Sequence, residues 1–192
     1  MTETQSAPGL VTGTWTIDTA HSEVTFAIRH LMNTVRGTFH RFTGRIEVAR
    51  ELFASTVHAE IEMASLDTRN ADRDAHVRSA DFLEVERYPV MTFTAKDVLP
   101  ATVGRRARQS RYEVVGDLTI RDVTREVRLL TEYHGVSDVE WEGTRVGFTA
   151  STVINRRDFG IEFNIPLRGD RYLLGDEIEV GLEIQAVYSG RP

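Results

Sequence analysis

The sequence predicts an all-β fold, an antiparallel sheet of about eight strands closed into a barrel. Three observations predict it. Apolar and polar residues alternate with a period of two along most of the 192-residue chain, the signature of strands with one buried and one wet face. Only one stretch, about residues 70–84, loses that alternation for long enough to form a helix. And long two-faced strands must bury their apolar faces together, either as a two-sheet sandwich or as a barrel, of which only the barrel removes exposed edges.

Thr14 to Asp18 places Trp15 and Ile17 on one face. From Glu23, EVTFAIRH sets Val24, Phe26 and Ile28 against Thr25, Ala27 and Arg29. Val35, Gly37 and Phe39 share the next inner face, and Ile46 and Val48 follow a bend at Gly44. Between Ser55 and Leu66, Val57, Ala59, Ile61 and Met63 point one way, and His58, Glu60 and Glu62 the other; charges at every second position mark the face that meets water. The helix of about residues 70–84 (NADRDAHVRSADFLE) lies between strands, with Asp67 or Asn70 as its cap and Asp72, Arg73, Asp74 and Arg78 on a solvated face.

Met91, Phe93 and Ala95 open the second half after Pro89. Tyr112, Val114, Gly116, Leu118 and Ile120 pair through a turn at residues 121–125 with Val127, Leu129, Thr131 and Tyr133. Val146 to Ile154 and Ile178 to Tyr188 are the last strands, the latter with Glu177, Glu179 and Glu183 outward. Residues 99–110 read as an exposed basic loop. Residues 1–12 read as a disordered tail, and 13–192 as one barrel domain. The inward list mixes phenylalanines with small residues (Gly37, Ala59, Ala95, Gly116, Ala150). Small inward residues leave room for a ligand, but the same mixture also fills a tapered core. Alternation therefore leaves a hollow and a filled barrel equally open.

Composition narrows the chemistry. Without cysteine, disulfides, zinc thiolates and iron–sulfur clusters are excluded. A net charge of −6 argues against general nucleic-acid binding, which relies on a basic surface. No apolar run approaches a membrane span, and the polar opening MTETQSAPGL is unlike a secretory signal, so the expected location is cytoplasmic. The six histidines form no tight ligand pair; only His30 and His40 are placed to meet across neighbouring strands. There is no nucleophile elbow and no phosphate-binding glycine pattern. Neither a metal, a cofactor nor a catalytic set is expected.

Five separated segments resemble the YceI-like polyisoprenoid-binding family. WTIDTAHSEVTFAIRHL carries Asp18, His21, Ser22, Phe26 and His30 at matching places, and GTFHRFTG follows at Gly37 to Gly44. RDAHVRSADFLEVERYPVMTFTA matches through Arg73, Asp74, Arg78, Ser79, Asp81, Phe82, Pro89 and Phe93. GDLTIRDVTREV departs from the family's hairpin at Asp122, where glycine is common. FTASTVINRRDFGI matches through Asn155, Arg156, Asp158, Phe159 and Gly160.

The resemblance implies an extended, eight-stranded, lipocalin-like barrel whose lumen binds a long isoprenoid chain, such as a polyprenyl phosphate or an isoprenoid quinone, for carriage, storage or buffering. It also makes a homodimer a natural expectation. The residues expected to line such a lumen are Phe26, Ile28, Phe39, Phe42, Ile61, Met63, Phe93, Leu118, Leu129, Phe148 and Phe163. Head-group candidates are His30, Arg73, Arg78, Asn155, Arg156 and Arg168, although Asn155 and Arg156 also suit the fastening of a turn. The alternatives are an enzyme acting on a lipid held in the same barrel and a stress-related structural protein with incidental lipid binding.

Overall fold

A computed structural model describes residues 7–101, 110–141, 143–169 and 171–190. Its strands are β1 (Gly13–Ile17), β2 (Glu23–His30), β3 (Asn33–Phe39), β4 (Phe42–Val48), β5 (Thr56–Glu62), β6 (Leu66–Asp67), β7 (Val90–Pro100), β8 (Arg111–Ile120), β9 (Val123–Val139), β10 (Gly143–Asn155) and β11 (Leu174–Gly190). All ladders between them are antiparallel. Eight strands, in the order β1-β4-β5-β7-β8-β9-β10-β11, close when β11 returns to β1, and β2-β3-β6 branch from β11.

The branch comes from the length of β11. Its last residues, Ala186 to Gly190, pair with β1, and its earlier ones, Leu174 to Glu183, pair with β2. β1 and β2 thus run end to end along one long strand, separated by a 3-10 turn at Thr19–His21. The DTAHS segment builds that corner. Asp18 accepts from the Ala20 amide at 3.1 Å and from His21 at 2.8 Å, and it pairs with Arg145 across the barrel wall. The Ser22 hydroxyl accepts from the Gln185 amide at 2.9 Å. Arg145, assisted by His21, holds the Asp18 carboxyl down at about 2.

Helix α1 (Ala71–Arg78) is shorter than the sequence predicts. It starts where Asn70 accepts from the Arg73 amide at 2.9 Å. It stops at Ser79, whose hydroxyl donates to the His76 carbonyl at 2.7 Å and whose backbone turns extended, so residues 79–88 continue as turns. Asp74, buried in α1, accepts from both the amide and the hydroxyl of Thr68 at 2.9 and 2.6 Å, and fastens the helix to the β6 segment.

Of the expected tail over residues 1–12, the structure describes residues 7–12, and these lie against the barrel. Ala7 and Leu10 pack against the core, the Trp15 indole donates to the Val11 carbonyl at 3.1 Å, and the Tyr133 hydroxyl donates to the Pro8 carbonyl. Apolar residues there gain more by covering the open barrel end than by remaining in water. Residues 1–6 and most of the predicted basic loop, 102–109, lie outside the described residues.

Candidate functional site

The inner faces of the strands enclose a cavity of about 470 Å³, within the usual range for ligand sites. All eleven residues expected to line a lumen border it: Phe26, Ile28, Phe39, Phe42, Ile61, Met63, Phe93, Leu118, Leu129, Phe148 and Phe163. Ten of them follow from strand alternation or from residues adjoining it. Phe163 belongs instead to the segment after the 3-10 turn at Arg156–Phe159.

Of the five small inward residues, only Ala59 and Ala150 leave their space to the cavity. A Cβ at Gly37 would stand 2.4 Å from Cζ of Phe26, and one at Gly116 2.6 Å from Cζ of Phe93. Those glycines seat neighbouring rings against the backbone instead of widening the lumen. Ala95 is buried in the wall at 4% exposure.

The cavity has two unlike ends. One is covered by Ala7 and Leu10, by Leu52 from a 3-10 turn at Leu52–Ala54, and by Tyr112 and Thr131. Burial pushes the Tyr112 phenol up, with Tyr133 adding to the effect, so it stays neutral. The other end, the mouth, is bounded by the β2–β3 hairpin, by α1 and by residues 160–173. Half-exposed Ile165 and His76 reach from cavity to surface there. The His76 ring meets Phe163 and Phe82 edge-on at 5.0 and 5.1 Å, and its Nε2 lies 2.8 Å from Asp81.

The head-group candidates divide. His30, Arg73 and Arg156 border the cavity; Arg78, Asn155 and Arg168 do not. Arg78 donates to the Leu66 carbonyl and so fastens α1. Asn155 caps the following turn, accepting from the Arg157 amide at 2.9 Å. Arg168 is exposed on the 160–173 segment. Arg156 touches the cavity but is committed to structure. At 1% exposure it donates to the carbonyls of Gly175, Ile161 and Phe163 at 3.0, 2.7 and 2.9 Å, and to Asp176 at 2.8 Å. Arg73 spends two of its five N–H groups on Thr68, at 2.7 Å each. His30 and His40 do not meet, because they occupy opposite ends of the β2–β3 ribbon, and His40 instead faces Asp67 at 3.3 Å.

Two functional positions escaped the sequence reading. His76 brings a further basic group to the mouth. Asn164 holds the 160–173 segment, its side chain bonding the Leu174 carbonyl at 2.9 Å and amide at 3.0 Å. The basic groups that border the cavity, His30, Arg73, His76 and Arg156, all lie toward the mouth. No Asp or Glu stands among the described residues lining it.

This is the architecture of a β-barrel with an apolar lumen and one basic end. Residues 15–186 match the YceI-like domain, and the chain belongs to that family. It is 37% identical to a UPF0312 protein of Staphylococcus epidermidis, over 84% of this chain and 90% of that one. It is 34% identical to a UPF0312 protein of Vibrio cholerae, over 77% of each. The YceI protein of Campylobacter jejuni superposes with a TM-score of 0.67 at 27% identity, covering 85% of this chain and 91% of that one. A polyisoprenoid-binding domain from Saccharophagus degradans gives a TM-score of 0.68 at 14% identity, covering 91% and 98%; at that identity the likeness is one of fold.

Proposed function

We propose that this protein binds one extended isoprenoid lipid, with the chain in the lumen and an anionic head group, such as a polyprenyl phosphate, at the mouth. The observation that carries the reading is the asymmetry of the lining: hydrocarbon along the barrel, and His30, Arg73 and His76 toward one end with no carboxylate among the described lining residues. The prenyl chain gains roughly 25 cal/mol for each Å² taken out of water, and needs no specific chemistry along the tube. The guanidinium of Arg73 suits phosphate through charge-assisted hydrogen bonds. Family membership and the ligand class for which the Saccharophagus degradans domain is named support the same class here.

Carriage or buffering fits this lining better than catalysis, since the described lining holds no carboxylate to act as general acid or base beside the chain and its histidines and arginines gather at the mouth. The test is an organic extract of the purified protein analysed by mass spectrometry, followed by uptake of added polyprenyl phosphate. The expected result is a co-purified prenyl species or stoichiometric uptake. A clean extract together with no uptake would overturn the reading, and release of a chemically altered lipid would overturn carriage.

A further inference from the structure

We propose that the mouth docks on an anionic lipid bilayer, through the tip of the β2–β3 hairpin and residues 165–169 and 171–173 beside it. The inference extends the lipid-binding reading but stands on different atoms. The hairpin turns through Leu31 and Met32, between the paired residues His30 and Asn33. Two-residue turns favour Asn and Gly, because the backbone must enter the left-handed region. Here Leu31 takes φ 53, and the pair stands 47% and 83% exposed. Turn geometry does not select such residues; contact with an apolar phase does.

The tip belongs to a larger apolar rim. The Leu31 amide donates to the Leu173 carbonyl at 2.9 Å, and the Leu173 amide to the Ile165 carbonyl at 3.0 Å. Pro166 bridges to Tyr172. Ile165 and Tyr172 are 46% and 56% exposed, so the patch continues from the tip across the mouth. Ile165 and Leu173 also border the lumen, which lets an apolar chain pass from bilayer to barrel along apolar surface.

Charge selects the occupant. Residues 29–33 and 165–173 carry three arginines and one acid, Asp170, in a chain of net charge −6, and the nearby acids Asp81 and Asp176 are already paired with His76 and with Arg156 and Arg157. The described side chains Arg29 and Arg171 are exposed beside the rim. Basic residues flanking an apolar wedge suit an anionic bilayer. Exposed Trp141, at 82%, lies in the sequence DVEWE, whose acids oppose such a surface.

The test is flotation of the full chain with phosphatidylcholine vesicles, with and without phosphatidylglycerol. Binding is expected with phosphatidylglycerol only and should fall as salt rises. An R29Q/R171Q variant should bind at least about tenfold less. An L31S/M32S variant should also lose binding, and W141S should keep it. None of the substituted residues borders the lumen, so uptake of polyprenyl phosphate delivered without vesicles should be unchanged. No flotation, rim variants that float like the parent, or loss in W141S would overturn the proposal. So would a dimer in solution that the L31S/M32S variant dissociates without any flotation, since a second copy would then cover the rim. If uptake persists while flotation fails, docking is wrong and lipid binding stands. If flotation persists while uptake fails, docking stands and the lumen is not the lipid site.

Discussion

The two ends of the lumen are closed by different physics. At the end near the N-terminus, packing does the work. Trp15 is fully buried, its ring meets Tyr188 edge-on at 5.2 Å, and Ala7 and Leu10 cover the core. At the mouth, side chains replace the strand ladder. Arg156 and Asn164 bind backbone groups of residues 161–174, and Asp74 and Arg78 bind those of residues 66–68. An apolar cap tolerates neutral neighbours such as the Tyr112 and Thr131 hydroxyls, whereas a wall fastened by hydrogen bonds can carry basic groups and still border the lumen. The difference accounts for why the lining is basic at one end only.

Four substitutions would break or sharpen that contrast. Trp15→Ala should cost the most, about 4 kcal/mol, through the cavity it leaves, measured by denaturant unfolding. Arg156→Met should cost about 3 kcal/mol, because three carbonyls lose their partner and Asp176 keeps only Arg157. Hydrogen exchange should show that loss concentrated in residues 160–175, whereas for Trp15→Ala it should spread through the strands. Uniform exchange in both variants would contradict the distinction.

Asp18→Asn tests the corner between β1 and β2. The folded pKa of Asp18 lies at about 2, below its ordinary 3.8, so the carboxylate stabilises the fold above the ordinary value, and the contribution fades as pH falls toward 2. The variant should be about 1–2 kcal/mol less stable at neutral pH, with the gap closing by pH about 2. A gap independent of pH would mean that Arg145 does not govern it. The smallest effect belongs to Arg73→Gln. It should weaken polyprenyl phosphate uptake by about fivefold, roughly the net worth of one hydrogen bond, and leave uptake of the uncharged polyprenol unchanged.

Much of this molecule is legible in its sequence, and the boundary has a physical cause. Alternation is a property of the strand itself, so Val57, Ala59, Ile61 and Met63 fall on the inner face as expected, and His58, Glu60 and Glu62 outside it. What depends on a distant partner is not legible. Gly37 and Gly116 read as space but receive Phe26 and Phe93 from neighbouring strands. Arg156 reads equally as a head-group cation or as a fastener of its turn, until Gly175, Ile161 and Phe163 present their carbonyls to it. His76 reads as one more residue of the helix until Phe82 and Phe163 meet its ring. The early stop of α1 depends on a local competition for the His76 carbonyl, which Ser79 wins with its hydroxyl.

The claim that the hollow is the binding site is tested most directly by filling it. Ala59 and Ala150 are small strand residues whose space belongs to the lumen. An Ala59→Phe/Ala150→Phe variant with an unchanged circular dichroism spectrum should bind polyprenyl phosphate at least about tenfold more weakly than the parent, because the chain loses the apolar surface that holds it. Equal uptake by the filled and unfilled barrels would place the lipid elsewhere on the protein and contradict the account.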